Sequence, residues 1–206
     1  MRPKSIAKEE AIRTIALRII AEEGLENLSM QKLAKAANVS PRTIYLKYAD
    51  KDDLLIRLFI EEVLGSYETA VLTDFSETMD WVEGVKKLWM NAFHYFKNNP
   101  HGFALMQYGK SSPLLNKAYQ KNNIRQGQFF APIHRFLSRH TTAGVIRELP
   151  FEAQRALLFA PLLDLVNEYF EHLHRSQQII TEKVLLECCE AVLEGISKKN
   201  HNEYHR

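Results

Sequence analysis

Three helix-start signals follow one another near the N-terminus, and they constrain the fold more than any other feature of the chain. Ser29 precedes residues 30–36, Ser40-Pro41 precedes residues 42–46, and Asp50 precedes a run carrying Asp52, Asp53, Leu54, Leu55, Leu58 and Phe59. Short hydroxyl and carboxylate side chains accept hydrogen bonds from the free N–H groups of a first turn, and proline at the first helical position gives up no useful donor. The spacing predicts two short helices joined by the tight turn Ala37-Asn38-Val39, where Asn38 tolerates left-handed backbone. A longer helix over residues 6–23 should precede them, with Ile12, Ile15, Ala16 and Ile19 on its inner stripe and Gly24 at its end. A fourth should run from Asp50 to about Leu64.

Two short helices across a three-residue turn, flanked by longer ones, match a helix-turn-helix. In that geometry the N-terminal residues of the second short helix meet base edges in the major groove. Here they are Pro41, Arg42, Thr43 and, one turn on, Tyr45. Arg42 can set a bidentate fork on a guanine, and the hydroxyls of Thr43 and Tyr45 can bond phosphate or base. Ser29 and Ser40 sit at helix starts whose N–H groups suit phosphate, and Gln31 is a further base-reading candidate. Lys47 and Lys51 add charge on the same side. The chain carries a net charge of only +2, but its first 60 residues hold 11 Lys/Arg against 8 Asp/Glu, so the positive excess lies at this end.

The stretch from Ile12 to Phe59 resembles the N-terminal domain of the TetR family of bacterial regulators. The residues that carry the resemblance are Gly24, Ser29, Leu33-Ala34, Ala37, Val39-Ser40, Thr43-Ile44-Tyr45, Tyr48, Lys51 and Leu54. The chain departs from the family pattern at Arg42 and Asn38, where glycine is usual, and at Tyr48, where phenylalanine is common. The resemblance implies a homodimer, an all-helical ligand domain and repression relieved by a ligand. Tyr48 is expected to pack against the first helix.

The remaining sequence also reads as helices, over residues 80–97, 102–108, 113–139, 151–174 and 181–196, with a loop at 141–150; Pro161 should kink its helix or locally break its hydrogen bonding. No segment sustains a period-2 alternation. The expected fold is therefore all-α, an N-terminal three-helix helix-turn-helix domain plus a helical-bundle ligand-binding and dimerisation domain. Its divisions are residues 1–50 for DNA binding, 51–65 as a connecting helix, 66–200 for the second domain, and 201–206 as a disordered tail.

The family's effector pocket maps onto the aromatic-rich part of the second domain. Its expected lining is Trp89, Phe93, Phe96, Phe103, Met106, Gln107, Phe129, Ile133 and Phe136, suited to a small apolar or amphipathic effector. The last two helices are the expected dimer surface, because their apolar stripes are wider than one neighbour needs. Leu162, Leu163, Val166 and Phe170 mark one, and Leu185, Cys188, Val192 and Ile196 the other.

Other classes find little support. No nucleophile elbow, phosphate loop or HExxH motif is present, so no enzyme is expected. His172 and His174 fall on different helix faces, no cluster of ligands joins them, and neither metal nor cofactor is expected. Cys188 and Cys189 are the only cysteines; adjacent in sequence and flanked by Glu187 and Glu190, they read as small buried apolar residues of a cytoplasmic protein. No apolar run is long enough for a membrane helix, and Lys8, Glu9 and Glu10 interrupt any signal peptide.

Overall fold

Apart from one isolated bridge between Ile146 and Ser197, regular structure is helical throughout the residues described, 3–114 and 129–198 of the computed structural model. The all-α class expected from the sequence holds. The expected tail at 201–206 lies outside the described residues. No helix among those described is long and apolar enough to cross a membrane. The chain divides into two units. One comprises Met1–Glu68 with Asn98–Phe129, the other Thr69–Lys97 with Phe130–Arg206.

The first unit begins with α1 (Pro3–Glu23), which buries Ile12, Ala16, Ile19 and Ile20. Gly24 takes φ +90°, a conformation that strains any residue with a Cβ, and its N–H caps the Ile20 carbonyl at 3.1 Å. A 3-10 turn at Leu25–Asn27 leads to α2 (Met30–Ala36), then α3 (Pro41–Tyr45) and α4 (Lys51–Leu58). The helix does not stop at Leu64 as expected. It continues as a π-helix over Phe59–Ser66 and then as α5 (Tyr67–Val71). Helix α7 (Pro100–Ser111) completes the unit by packing against α1 and the π-helical segment.

The second unit is built on α6 (Trp81–Asn98), α8 (Ala131–Thr142), α9 (Phe151–Glu171) and α10 (Glu182–Ile196). Asp80 starts α6 by accepting the Val82 N–H at 2.8 Å, and that bond holds its carboxyl below the usual range. Phe136 stacks on Trp81 at 5.6 Å and meets His140 edge-on at 4.6 Å. The Phe136 ring lies so close to Gly84 that a Cβ there would meet its Cζ at 2.5 Å.

One expectation is corrected here. The helix expected over 113–139 starts anew at Ala131, with Phe130 left-handed at φ 60°; residues 115–128 of that span lie outside the described residues. Pro132 explains the start, since proline in a helix interior lacks a donor and clashes with the preceding turn. Pro161, by contrast, lies inside the continuous helix α9. It offers no N–H to the Leu157 carbonyl, and in the same turn the Trp89 indole N–H donates to the Leu158 carbonyl at 3.0 Å.

Candidate nucleic-acid interface

Local capping fixes the pair α2–α3. Ser29 Oγ accepts the Lys32 N–H at 3.2 Å, and Ser40 Oγ accepts the Thr43 N–H at 3.2 Å. Between them Asn38 adopts φ 52°. The Val39 N–H reaches back to the Ala34 carbonyl at 3.0 Å, and the Asn38 N–H to the Lys35 carbonyl at 3.2 Å. These are the two bonds of a Schellman ending, so the turn satisfies carbonyls that the helix leaves open. Met30, Leu33 and Ala34 anchor α2 in the core, and Ile44, fully buried, anchors α3. Cutting Ile44 back to alanine would cost about 2–5 kcal/mol.

With Ile44 inward, Pro41, Arg42 and Tyr45 stand on the exposed side of α3, and Gln31 is exposed on α2. Ser29 and Ser40 are exposed caps. Thr43 is half-buried, its hydroxyl 2.9 Å from Ser40 Oγ. Tyr48 is buried, as expected, with the Arg57 guanidinium over its ring at 5.6 Å. Burial pushes its phenol above the ordinary tyrosine value.

The two lysines are less simple than the sequence implied. Lys47 forms an ion pair with Glu9 of α1, both side chains being partly exposed. Lys51 is half-buried, and its Nζ donates to the Leu25 carbonyl at 2.8 Å. Asp50 caps α4 through the Asp53 N–H at 2.8 Å, while Asp53 Oδ2 accepts the Ala49 N–H at 3.0 Å. Sequence reasoning missed Leu46, whose side chain is 77 % exposed directly after α3. The signal was available: Ile44 and Tyr48 are the inward positions, which turns residue 46 outward.

The expected effector-lining residues are distributed between the two units. Trp89, Phe93, Phe96, Ile133 and Phe136 are buried in the second. Phe103 and Met106 are buried in the first, where Gln107 and Phe129 are half-buried. None of the nine borders the open cavity of about 510 Å³ in the second unit, which His134, Arg135, Thr142, Glu148 and Phe151 help to line. His134 stacks on Phe151 there at 3.7 Å.

On α9 and α10, Leu162, Val166, Leu185 and Ile196 are buried within their own unit, whereas Leu163, Phe170, Cys188 and Val192 are half-buried. Cys188 is thus less enclosed than the sequence reading held. The fully buried member of the pair is Cys189, whose thiol burial pushes up to about 12. Among the described residues no three His, Cys, Asp or Glu side chains gather as a metal site.

Comparison with known proteins agrees with this arrangement. Residues 12–58 match the model of the bacterial regulatory proteins of the tetR family. An uncharacterised HTH-type transcriptional regulator of Haemophilus influenzae is 35% identical over 113 residues, which cover 55% of this chain and 60% of that protein. The solved structure of a TetR-family transcriptional regulator from Haemophilus influenzae covers 96% of this chain and all of its own, at 26% identity and a TM-score of 0.74. A TetR-family regulator from Marinobacter aquaeolei has the same fold, with a TM-score of 0.82 at 24% identity, covering 97% of this chain and 100% of that one. The matched caps, turn and buried anchors make residues 12–58 similar to the bacterial regulatory proteins of the tetR family, and the chain shares the fold of the solved TetR-family regulators.

Proposed function

We propose that the protein is a cytoplasmic, ligand-responsive transcriptional repressor. It binds an inverted-repeat operator in double-stranded DNA as a homodimer and is released by a small apolar or amphipathic effector. The observation that carries this reading is the outer side of α3. Arg42 and Tyr45 stand exposed there on a helix fixed by the Ser40 cap and the buried Ile44. Arg42 reads a guanine; Gln31, Thr43 and Tyr45 add base or phosphate contacts; Ser29, Ser40, Pro41, Lys47 and Lys51 position the backbone. A two-fold dimer presents two such helices and therefore asks for an inverted repeat. Leu163, Phe170, Cys188 and Val192, each half-buried in the single chain, are the proposed centre of the dimer contact. For the effector, the proposed lining within the second unit is Trp89, Phe93, Phe96, Ile133 and Phe136.

The test is selection of duplexes from a random pool by the full-length protein, followed by binding across a salt series. Enrichment of an inverted repeat, with much weaker binding to scrambled DNA, is expected. Failure to enrich any sequence sinks the reading. For the effector, a thermal-shift screen of fatty acids, aromatic acids and hydrophobic cations should yield a ligand that also lowers operator affinity. At 100 times its Kd a ligand raises stability by about 2.7 kcal/mol.

A further inference from the structure

We propose that Leu46 reads a base, its isobutyl group packing on the C5 methyl of a thymine within about two base pairs of the guanine read by Arg42. The inference rests on the DNA-binding reading above and adds to it a residue and the chemical group that it recognises.

Leu46 is 77 % exposed, more than any other large hydrophobic side chain among the described residues. It contributes little to the core, because Ile44 and Tyr48 on either side hold the inward positions. Its orientation is fixed. The Leu46 N–H bonds to the Arg42 carbonyl at 3.0 Å, and its backbone stays helical at φ −68°, ψ −21°. The helical winding therefore carries through Leu46, and residues four apart lie on one face with Cβ atoms about 5–6 Å apart. That spacing corresponds to about two steps of 3.4 Å along a DNA strand. Tyr45, 52 % exposed, stands beside it.

The face thus combines one long donor, Arg42, with an apolar side chain that can neither donate nor accept a hydrogen bond. Such a group can recognise only another apolar surface. In the major groove of B-DNA the base edges offer one, the thymine methyl. Any other base at that position would set a polar edge against the leucine and lose hydration without compensation. A protein partner suits the site poorly, because a single exposed leucine beside Arg42 is far smaller than the patch such a contact buries.

The experiment uses the full-length protein and the duplex that it enriches from a random pool. Each thymine is replaced in turn by deoxyuridine, which removes only the methyl group. One replacement in each half-site should weaken wild-type binding by about fourfold, the value of one buried methyl-sized group. L46A should bind the unmodified duplex more weakly by about fourfold per half-site, about sixteenfold for the dimer, and be indifferent to that replacement. L46M should keep part of the sensitivity, and the melting temperature of the free L46A protein should be unchanged. Wild-type indifference to uracil at every position overturns the proposal, as does an L46A protein that still loses fourfold at the same thymine. Loss of self-association by L46A in light scattering would assign the side chain to a protein contact and overturn it equally. If the pool yields no enriched sequence, the DNA-binding reading fails as a whole. If it yields one without a uracil effect, only the role of Leu46 is lost.

Discussion

Lys51 Nζ donates to the main-chain carbonyl of Leu25 at 2.8 Å, tying the start of α4 to the turn that follows α1. One of three ammonium donors is thereby committed inside the protein, and two remain for phosphate. Lys51→Met should therefore act twice. The free protein should lose about 0.5–1.5 kcal/mol of stability, the net worth of one hydrogen bond. DNA binding should weaken alike on operator and scrambled duplexes, with the salt slope falling by about one. Thermal denaturation without DNA separates the two effects. An unchanged melting temperature would remove the tether, and an unchanged salt slope the phosphate contact.

Arg42 should fail differently. It is exposed at the start of α3, so Arg42→Ala should leave stability alone. It should cost about 1–3 kcal/mol per half-site on the operator and relax preference at one base pair. Equal loss on every sequence, in binding measured at matched salt, would make it a backbone contact instead.

The dimer assignment is tested on the half-buried residues of α9 and α10. Leu163→Glu or Val192→Glu would bury an unpaired charge if those faces meet a partner, a change costing several kcal/mol. Light scattering should then report monomers or aggregates. Because both side chains are only half-buried in the single chain, each variant can fold without the dimer. An intact dimer in both would place the interface elsewhere.

Gly84 has no freedom to gain a side chain. Its Cβ would fall 2.5 Å from Phe136 Cζ, and that ring is fully buried between Trp81, Phe75 and His140. Gly84→Ala should destabilise the protein by about 1–3 kcal/mol, the usual cost of overpacking a filled core. The gain in helix propensity from alanine, up to about 1 kcal/mol, opposes it without cancelling it. Chemical denaturation of the variant gives the difference directly.

Much of this was legible in the chain because the deciding interactions are local. Ser29, Ser40 and Asp50 bond to N–H groups three residues on, and Asn38 takes the left-handed turn it suits. The site lysines were legible only as charges. Their partners, Glu9 for Lys47 and Leu25 for Lys51, come from distant parts of the chain that meet only after folding. The π-helix at Phe59–Ser66, which packs against α7, left no mark either, since its apolar spacing resembles that of an α-helix. Pro132 and Pro161 show the same limit. One begins a helix and the other sits within one, and surroundings rather than residue type decide which.

Stability should fall as pH drops below about 6.5. Burial lowers the pKa of His140, buried against Phe136, and of His134, stacked on Phe151. The folded state thus favours neutral imidazole, and the unfolded chain takes up protons first. Their contribution is complete above the unfolded value of about 6.5 and is lost as pH falls from there through the folded values. Melting temperatures measured from pH 7.5 to 5.5 should decline, and His140→Gln should flatten the decline. An equally steep profile in that variant would assign it to other groups.

The interleaving of the two units bears on how the protein is made. The chain passes from one unit to the other three times, and the unit carrying α2 and α3 is finished by α7, which packs on α1 and the π-helical segment. A ribosome that has released residues 1–68 has therefore not yet released a complete folding unit. The apolar side of α1 must wait for α7, with all of α6 synthesised in between. A fragment cut after residue 68 should leave that surface bare and associate non-specifically, so simple truncation should not yield the unit that carries α2 and α3. Circular rearrangement that joins α7 directly to the first 68 residues would be the shortest route to an autonomous version.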